Sequence, residues 1–255
     1  MRPLVERLVD RGYRVVAPWM RGYRPTEIPT DGDYQVAALA ADIVGLLDTL
    51  AWEQTLLIGH DWGAVAGYGA AAKVPRRIDQ LVALSVPPPG LFLRNAARAP
   101  AQWGRSWYMM AFQVPGAPER WLSRDDFAGL ERTWWAWTGG GDIPERAFEE
   151  VKRTFRQPGT LEAALGYYRA LCPLRSRPPG GFVESWRLSH RPIAVPTLMF
   201  AGAEDPTVGL ETFEGLDEIF EDRWQLEVFE NGAHFIQLEE PDAIVDRTLE
   251  FAESR

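Results

Sequence analysis

Cysteine, histidine and long apolar runs are scarce in this chain of 255 residues. The single cysteine, Cys172, excludes an internal disulfide and a metal site built from several cysteines, which favours a reducing compartment. The first residues carry scattered charges and no apolar stretch long enough for a signal peptide or a membrane span. We therefore expect a cytoplasmic protein without a membrane partner and without a metal ion.

Positive charge is also in short supply. The chain has 27 lysine and arginine residues against 36 aspartate and glutamate residues, and its net charge is -9. This balance argues against nucleic acid and against anionic membrane surfaces as partners. Hydrophobic residues make up 46% of the chain, which is enough for one sizeable core, as a single domain or as a domain with an insertion. Monomer and homo-oligomer both stay open.

Short apolar runs alternate with helical patterns along most of the chain. A helical stripe starts at Leu4 and stops at Gly12, a second starts at Val36, and small residues over 62–74 predict a third helix. Strands are predicted for residues 13–17, 54–58, 81–86, 196–201 and 225–230, and a closing helix for 241–253. This alternation predicts an α/β fold with a mainly parallel sheet flanked by helices.

The middle of the chain breaks this rhythm. Residues 87–192 are rich in tryptophan, arginine and proline, show helical patterns and contain no convincing strand. Six of the eleven tryptophans lie between Trp103 and Trp137. We interpret 87–192 as a helical cap inserted between two strands of a core formed by residues 1–86 and 193–255.

The sequence LIGHDWGA, residues 57–64, places Asp61 between Gly59 and Gly63 directly after an apolar strand. Glycine on both sides of a nucleophile, between a strand and a small-residue helix, is typical of the nucleophile elbow, whose strained turn needs small neighbours at both positions. The alternative is that Asp61 only caps the helix, since aspartate is a good N-cap residue. A cap would not need two glycines, so we interpret Asp61 as a nucleophile.

An aspartate at this point suggests a particular kind of reaction. Serine attack on a saturated carbon would leave a stable ether, whereas carboxylate attack leaves an ester on the enzyme that water can cleave. Asp61 therefore indicates displacement at a saturated carbon. Epoxides and alkyl halides are the obvious electrophiles.

Cleaving such an ester requires a base, and the chain has only three histidines. His60 lies inside the elbow, and His190 lies in a loop without an acidic neighbour. His234 follows the last predicted strand and so lies at the carboxyl edge of the sheet, where chemistry gathers in such folds. Asp205 follows the preceding strand and is the preferred acid to orient His234, with the adjacent Glu204 as the alternative.

These motifs resemble the α/β-hydrolase superfamily, and within it the epoxide hydrolases and their haloalkane dehalogenase relatives. GYRVVAP followed by RGY, IGHDWGA, FAGAED and GAHFIQLEEP occur in the family's order and at its spacing. The resemblance covers nearly the whole chain. It implies an α/β-hydrolase fold with a helical cap and a reaction that needs no metal and no organic cofactor.

The resemblance also assigns roles to residues of the cap and the elbow. In epoxide hydrolases two cap tyrosines hold the epoxide oxygen, and SWYMMAFQVPG and LGYYRAL resemble the segments that carry them, at Tyr108 and Tyr168. The backbone N–H of Trp62 becomes the first oxyanion donor. The substrate is a small apolar or aryl epoxide, and its product is a vicinal diol. Side chains expected around the substrate are Trp62, His60, Trp107 and Phe235.

Two features depart from the family pattern. The chain has no His-Gly dipeptide, whereas the family has a His-Gly-x-Pro loop that supplies a second oxyanion donor, and five strands are predicted where the family core has eight. Because Asp61, Asp205 and His234 keep the family order, we expect a further N-terminal segment in the natural protein rather than a shortened, poorly active relative. Trp19 stands where the family often has aspartate, and we expect it to shape the pocket.

Two other functions fit the same residues. A haloalkane dehalogenase would use Asp61 as the same nucleophile, and the indole N–H of Trp62 would hold the departing halide. A non-catalytic binding protein would use the hydrolase shell to hold an apolar ligand, and the missing second oxyanion donor is its best support. Retention of Asp61, Asp205 and His234 together argues against the binding protein.

Overall fold

The computed structural model describes residues 1–140, 143–175 and 179–254. These residues form one sheet of four parallel strands, which lie side by side in chain order. The strands are β1 (Thr55–His60), β2 (Ile78–Leu84), β3 (Thr197–Gly202) and β4 (Trp224–Phe229). Because all four run in one direction, the loops after their carboxyl ends meet at a single edge of the sheet.

The two central strands are apolar along nearly their whole length. β2 has the sequence IDQLVAL and β3 has TLMFAG, and almost every residue of both is buried. Continuous apolar runs of this kind belong to parallel strands that helices cover on both faces. Because side chains alternate along a strand, Leu81 and Ala83 pack into one face while Val82 and Leu84 pack into the other.

Helices cover both faces of the sheet. α3 (Trp62–Lys73) packs directly on β1 and β2, and α2 (Val36–Thr49) packs on α3. On the opposite face, α1 (Arg2–Asp10) packs on α12 (Pro241–Glu253), which lies against β3 and follows the short helix α11 (Ile236–Glu239). Each large apolar side chain buried between these layers contributes roughly 1.5–3 kcal/mol of transfer free energy, and this burial holds the carboxyl edge of the sheet in place.

The described part of the segment between β2 and β3 is helical. Its longest helix is α7 (Ala117–Trp137). This helix is broken at Arg124 to Phe127, where Asp125, Asp126 and Phe127 have positive φ. Asp126 pairs with Lys152 at 3.1 Å and with Arg156 at 2.6 Å, which ties the break to the next helix. The helices are α4 (Pro89–Ala96), α5 (Pro100–Arg105), α6 (Trp107–Ala111), α7 (Ala117–Trp137), α8 (Glu145–Phe155), α9 (Thr160–Arg169) and α10 (Pro179–Ser189).

The predicted strand over 13–17 is wrong. This segment belongs to no ladder, and Tyr13 and Val16 are exposed, while Val15 packs against the core. A strand needs a neighbouring strand with which to form hydrogen bonds. Within the described ranges β1 is the edge strand and pairs only with β2, so residues 13–17 have no strand as a hydrogen-bonding neighbour. The other four strands and the closing helix are confirmed, with β2 starting three residues earlier than predicted.

Candidate active site

Asp61 lies at the tip of a tight turn between β1 and α3. Its backbone has φ 50 and ψ -119, a conformation that costs energy for any residue with a side chain. Gly59 is required there, because a Cβ on it would lie 2.3 Å from the carbonyl oxygen of Gly63. Gly63 is not required for the same reason, since a Cβ on it would meet open space; the expectation of two necessary glycines is wrong at that position.

A histidine and an aspartate from the two following loops face Asp61. His234 follows β4, and its Nε2 lies 3.8 Å from Oδ1 of Asp61. Its Nδ1–H donates to Oδ2 of Asp205 at 2.8 Å. Asp205 follows β3 and is 4% exposed, whereas the alternative acid, Glu204, is exposed. The structure therefore brings together the three residues that the sequence analysis selected.

Thr207 completes the surroundings of Asp205 and was missed by the sequence analysis. Its hydroxyl donates to Oδ1 of Asp205 at 2.8 Å, and the backbone N–H groups of Thr207 and Val208 donate to the same oxygen. The Thr207 oxygen is also 2.9 Å from Nδ1 of His234, so the imidazole N–H is shared between two acceptors. The signal in the sequence was Asp-Pro-Thr, because aspartate commonly accepts from the residue two positions on.

The charges of these groups shift one another's pKa. For Asp205 burial opposes ionisation, but His234 and the hydrogen bonds outweigh it and lower the pKa. For His234 burial disfavours the cation, yet the charges of Asp205 and Asp61 raise the pKa above its usual value. Burial raises the pKa of Asp61, while His234 and the backbone N–H of Trp62 act in the opposite direction. The imidazole is thus held in the tautomer that leaves Nε2 facing Asp61.

His60 supports the site from behind. Its Nε2–H donates to the backbone carbonyl of His234 at 2.9 Å, and Ser85 donates to the same carbonyl at 2.8 Å. Burial, and then the charge of His234, lower the pKa of His60 to about 3, so the ring stays neutral. Phe235, also expected at the pocket, is buried and stacks on Trp134 with ring centroids 4.3 Å apart.

Tyr108 of α6 and Tyr168 of α9 pack against each other beside Trp62, the first residue of α3. Their ring centroids are 5.7 Å apart, and Tyr168 contacts the Trp62 ring edge to face at 5.3 Å. Burial raises the pKa of both phenols, and the charge of Asp61 raises it further. Tyr23, which was not anticipated, feels the same charge of Asp61 after a larger effect of burial. The indole N–H of Trp62 is buried beside the Tyr168 hydroxyl, where it opposes the rise in that phenol's pKa, but it forms no hydrogen bond of good geometry with a described residue.

A cavity of about 280 Å³ opens beside these residues, within the helical segment. Trp107, which is 59% exposed, lies on its wall together with Tyr108. Trp19, expected to shape the pocket, is 55% exposed and does not line this cavity. The lining residues are Gly104, Arg105, Trp107, Tyr108, Phe112, Trp121, Arg132, Thr133, Ala136, Trp137 and Pro206.

In the part of the chain that the structure describes, no group of three or more histidine, cysteine, aspartate or glutamate side chains is arranged to hold a metal ion. No helix within the described ranges combines the length and the apolar character needed to cross a membrane.

A parallel sheet with an aspartate elbow and a histidine–aspartate pair at its carboxyl edge defines an α/β hydrolase. The chain belongs to this family, because the model of the alpha/beta hydrolase fold matches residues 1–241. Mouse epoxide hydrolase 4 is 31% identical over 238 residues, which cover 91% of this chain and 63% of that protein. Epoxide hydrolase A of Mycobacterium tuberculosis is 28% identical over 281 residues, which cover 98% of this chain and 85% of that protein.

Solved structures agree with this family. The crystal structure of epoxide hydrolase A from Mycobacterium thermoresistibile superposes with a TM-score of 0.82 at 26% identity, covering 99% of this chain and 86% of that one. Against four of its curated relatives, however, the chain spans only 58% to 63% of their length.

Proposed function

We propose that this protein opens epoxides to vicinal diols through an ester formed on Asp61. The observation that carries the proposal is a carboxylate at the elbow, 3.8 Å from an Asp205-bound histidine and close enough to two partly buried phenols for its charge to raise their pKa. A carboxylate that attacks a saturated carbon forms an ester that water can cleave. The relatives named epoxide hydrolases support the same reaction.

In the first step, an oxygen of Asp61 attacks an epoxide carbon and the carbon–oxygen bond of the ring breaks. The ring oxygen becomes an alkoxide, which takes a proton from Tyr108 or Tyr168. Both phenols carry their protons at neutral pH, since the usual pKa of tyrosine is about 10 and burial raises it further. An acid that donates in the transition state typically contributes about 10²–10⁴-fold in rate.

In the second step, water cleaves the ester. Nε2 of His234 is too far from Asp61 for a hydrogen bond, so it is free to take a proton from a water that attacks the ester carbonyl. The backbone N–H of Trp62, which already acts on the Asp61 carboxylate, stabilises the oxyanion. Water supplies two protons in all, one for the second hydroxyl of the diol and one to restore the phenol.

The experiment that tests this proposal separates the two steps. His234→Gln removes the base and leaves the nucleophile, so the ester should accumulate when the variant is mixed with styrene oxide. Intact mass and peptide mapping should then find the mass of one whole epoxide on Asp61. The matched control, Asp61→Asn, should gain no mass.

Two results would count against the proposal. If the wild-type protein turns over no epoxide, the reaction is wrong. If it turns over styrene oxide while the folded His234→Gln variant carries no adduct on Asp61, the covalent mechanism is wrong.

Haloalkane dehalogenation is the second candidate, and one observation favours it. The buried indole N–H of Trp62 lies beside the Tyr168 hydroxyl without a hydrogen bond of good geometry to any described residue, and such a donor suits a departing halide. The two phenols, in contrast, have no role with a leaving group that needs no proton. Exposure of His234→Gln to 1-bromobutane decides between the candidates, because an adduct of the butyl group without bromine requires halide displacement.

A further inference from the structure

The cavity borders one of the groups assigned to the reaction, Tyr108. It lies among α5, α6 and α7, and Pro206, from the loop after β3 that carries Asp205, forms part of its wall. Trp137 lines it and has its ring 5.7 Å from that of His234. Tyr108 lies on the same wall. A molecule that fills the cavity therefore contacts the phenol assigned to the epoxide oxygen.

The shape and lining of this cavity favour a flat aromatic group. Five of the lining side chains are aromatic, namely Trp107, Tyr108, Phe112, Trp121 and Trp137. An engineered protein cavity of about 150 Å³ binds benzene. At about 280 Å³ this cavity has room for roughly two fused rings.

The cavity also carries a positive charge that no acidic side chain among the described residues neutralises. Arg105 lines it but is paired with Glu211 at 2.7 Å. Arg132 lines it as well, is exposed, and makes no ion pair with any described residue. A guanidinium beside aromatic rings binds a planar carboxylate through two parallel hydrogen bonds.

We propose that this cavity binds the distal end of the substrate and that the preferred substrates are aryl epoxides with a carboxylate, which Arg132 holds. The inference rests on the proposed epoxide reaction for its substrate, but not for the binding site itself. The protein's net charge of -9 opposes anionic ligands at long range, and screening at physiological salt limits that effect to about 8 Å. The preference must therefore come from the local contact with Arg132.

Binding can be measured without turnover. The probes are 2-naphthoate and 2-naphthylmethanol, which share size and rings but differ in charge, titrated against the full chain by quenching of tryptophan fluorescence. We expect 2-naphthoate to bind about tenfold more tightly than the alcohol. Arg132→Gln should abolish this preference, whereas Arg120→Gln, on the same helix and outside the cavity lining, should keep it. Ala136→Phe, which fills the cavity, should weaken both probes.

Equal affinity of the two probes for the wild-type protein, or the same loss from Arg120→Gln as from Arg132→Gln, would overturn the assignment. Kinetics then connect the site to the reaction, with 4-(oxiran-2-yl)benzoate compared with styrene oxide. Arg132→Gln should raise the ratio of the KM for the benzoate to the KM for styrene oxide about tenfold, whereas Arg120→Gln should leave this ratio unchanged.

The two proposals fail in different ways. If neither epoxide is turned over but 2-naphthoate binds with the expected dependence on Arg132, the binding site in the cavity is supported and the proposed epoxide reaction is contradicted. If styrene oxide is turned over and Arg132→Gln changes neither the probes nor the benzoate, the reaction stands and the cavity assignment falls.

Discussion

Tyr108 and Tyr168 approach Asp61 from two different helices, and their hydroxyls are proposed to hold the same oxygen. Changing both to phenylalanine keeps the rings and removes the protons. We expect alkylation of Asp61 to slow by about 10²–10⁴-fold, measured as the rate of adduct formation with styrene oxide in the His234→Gln background. Tyr167→Phe is the control, because the Tyr167 hydroxyl donates to the backbone carbonyl of Arg21 in the core. An undiminished rate in the double variant would rule out the phenols as donors.

Thr207 is expected to act on the proposed second step through its hydrogen bonds to Asp205 and His234. Thr207→Val removes the hydroxyl that donates to Asp205 and keeps the backbone N–H that donates to the same oxygen. We expect ester cleavage to slow by roughly tenfold, the effect of about 1.4 kcal/mol for the lost hydrogen bond to a charged group. Quenched-flow mass spectrometry of the adduct measures this rate. Thr207→Ser should restore cleavage, and equal cleavage rates for the valine and serine variants would show that the hydroxyl has no part.

Among individual residues, those that lie in a recognisable sequence motif were predicted. Residues whose position depends on the path of a loop were missed. Asp61, Asp205 and His234 each follow a predicted strand, and parallel strands bring their ends together. Tyr23 lies in an irregular segment and reaches Asp61 only through tertiary packing, which no local pattern records.

Among the elements, α5 connects the helical segment to the loop that carries Asp205. Gln102 of α5 is 0% exposed; its amide donates to the carbonyl of Thr207 at 2.7 Å and accepts from the N–H of Gly209 at 2.8 Å. Gln102→Met keeps the length of the side chain and leaves both backbone groups buried without this partner. We expect a loss of about 1–3 kcal/mol in the free energy of unfolding, measured by urea denaturation, together with slower ester cleavage.

Gln80→Met is the matched control for this prediction. Gln80 is also buried, but it lies near the start of β2, far from the carboxyl ends of the strands. Ester cleavage at the wild-type rate in Gln102→Met, with or without the loss of stability, would mean that α5 does not position the acid loop.

The elements themselves were predictable where burial alone decides them. β3 and the second half of β2 are apolar, and α12 begins at a proline and keeps one apolar face, so their existence follows from the residues, while the polar start of β2 at Asp79 and Gln80 was missed. The segment over 13–17 has the composition of a strand but lacks a partner, and strand formation is a property of the pair. The break in α7 at Asp125 and Asp126 carries no glycine or proline that would signal it.

For the molecule as a whole, the half-buried ring of His60 predicts a loss of stability in acid. The pKa of His60 is about 3 in the folded protein and 6.5 in the unfolded chain. Below pH 6.5, therefore, His60 binds a proton in the unfolded chain but not in the folded protein. Stability should therefore fall as the pH drops from 6.5 towards 3, by up to about 1.4 kcal/mol per pH unit from this residue. His234 has the opposite sign, because its raised pKa stabilises the folded state at low pH and the gain is lost as the pH rises.

His60→Gln isolates this effect, since glutamine keeps an N–H for the carbonyl of His234 and cannot be protonated. Urea denaturation at pH 7 and pH 5 should show a smaller loss in the variant than in the wild-type protein. Equal losses would mean that His60 takes up a proton in the folded state as readily as in the unfolded chain.

The two halves of the proposed cycle reside in different parts of the molecule. The nucleophile, base and acid stand on loops of the sheet, while both phenols stand on α6 and α9 of the helical segment. Ester cleavage is common to any electrophile that Asp61 attacks, and only the first half depends on what leaves. Exchanging those two helices for others could therefore redirect the enzyme to a new leaving group without rebuilding its hydrolytic machinery, a modularity through which one scaffold can diversify.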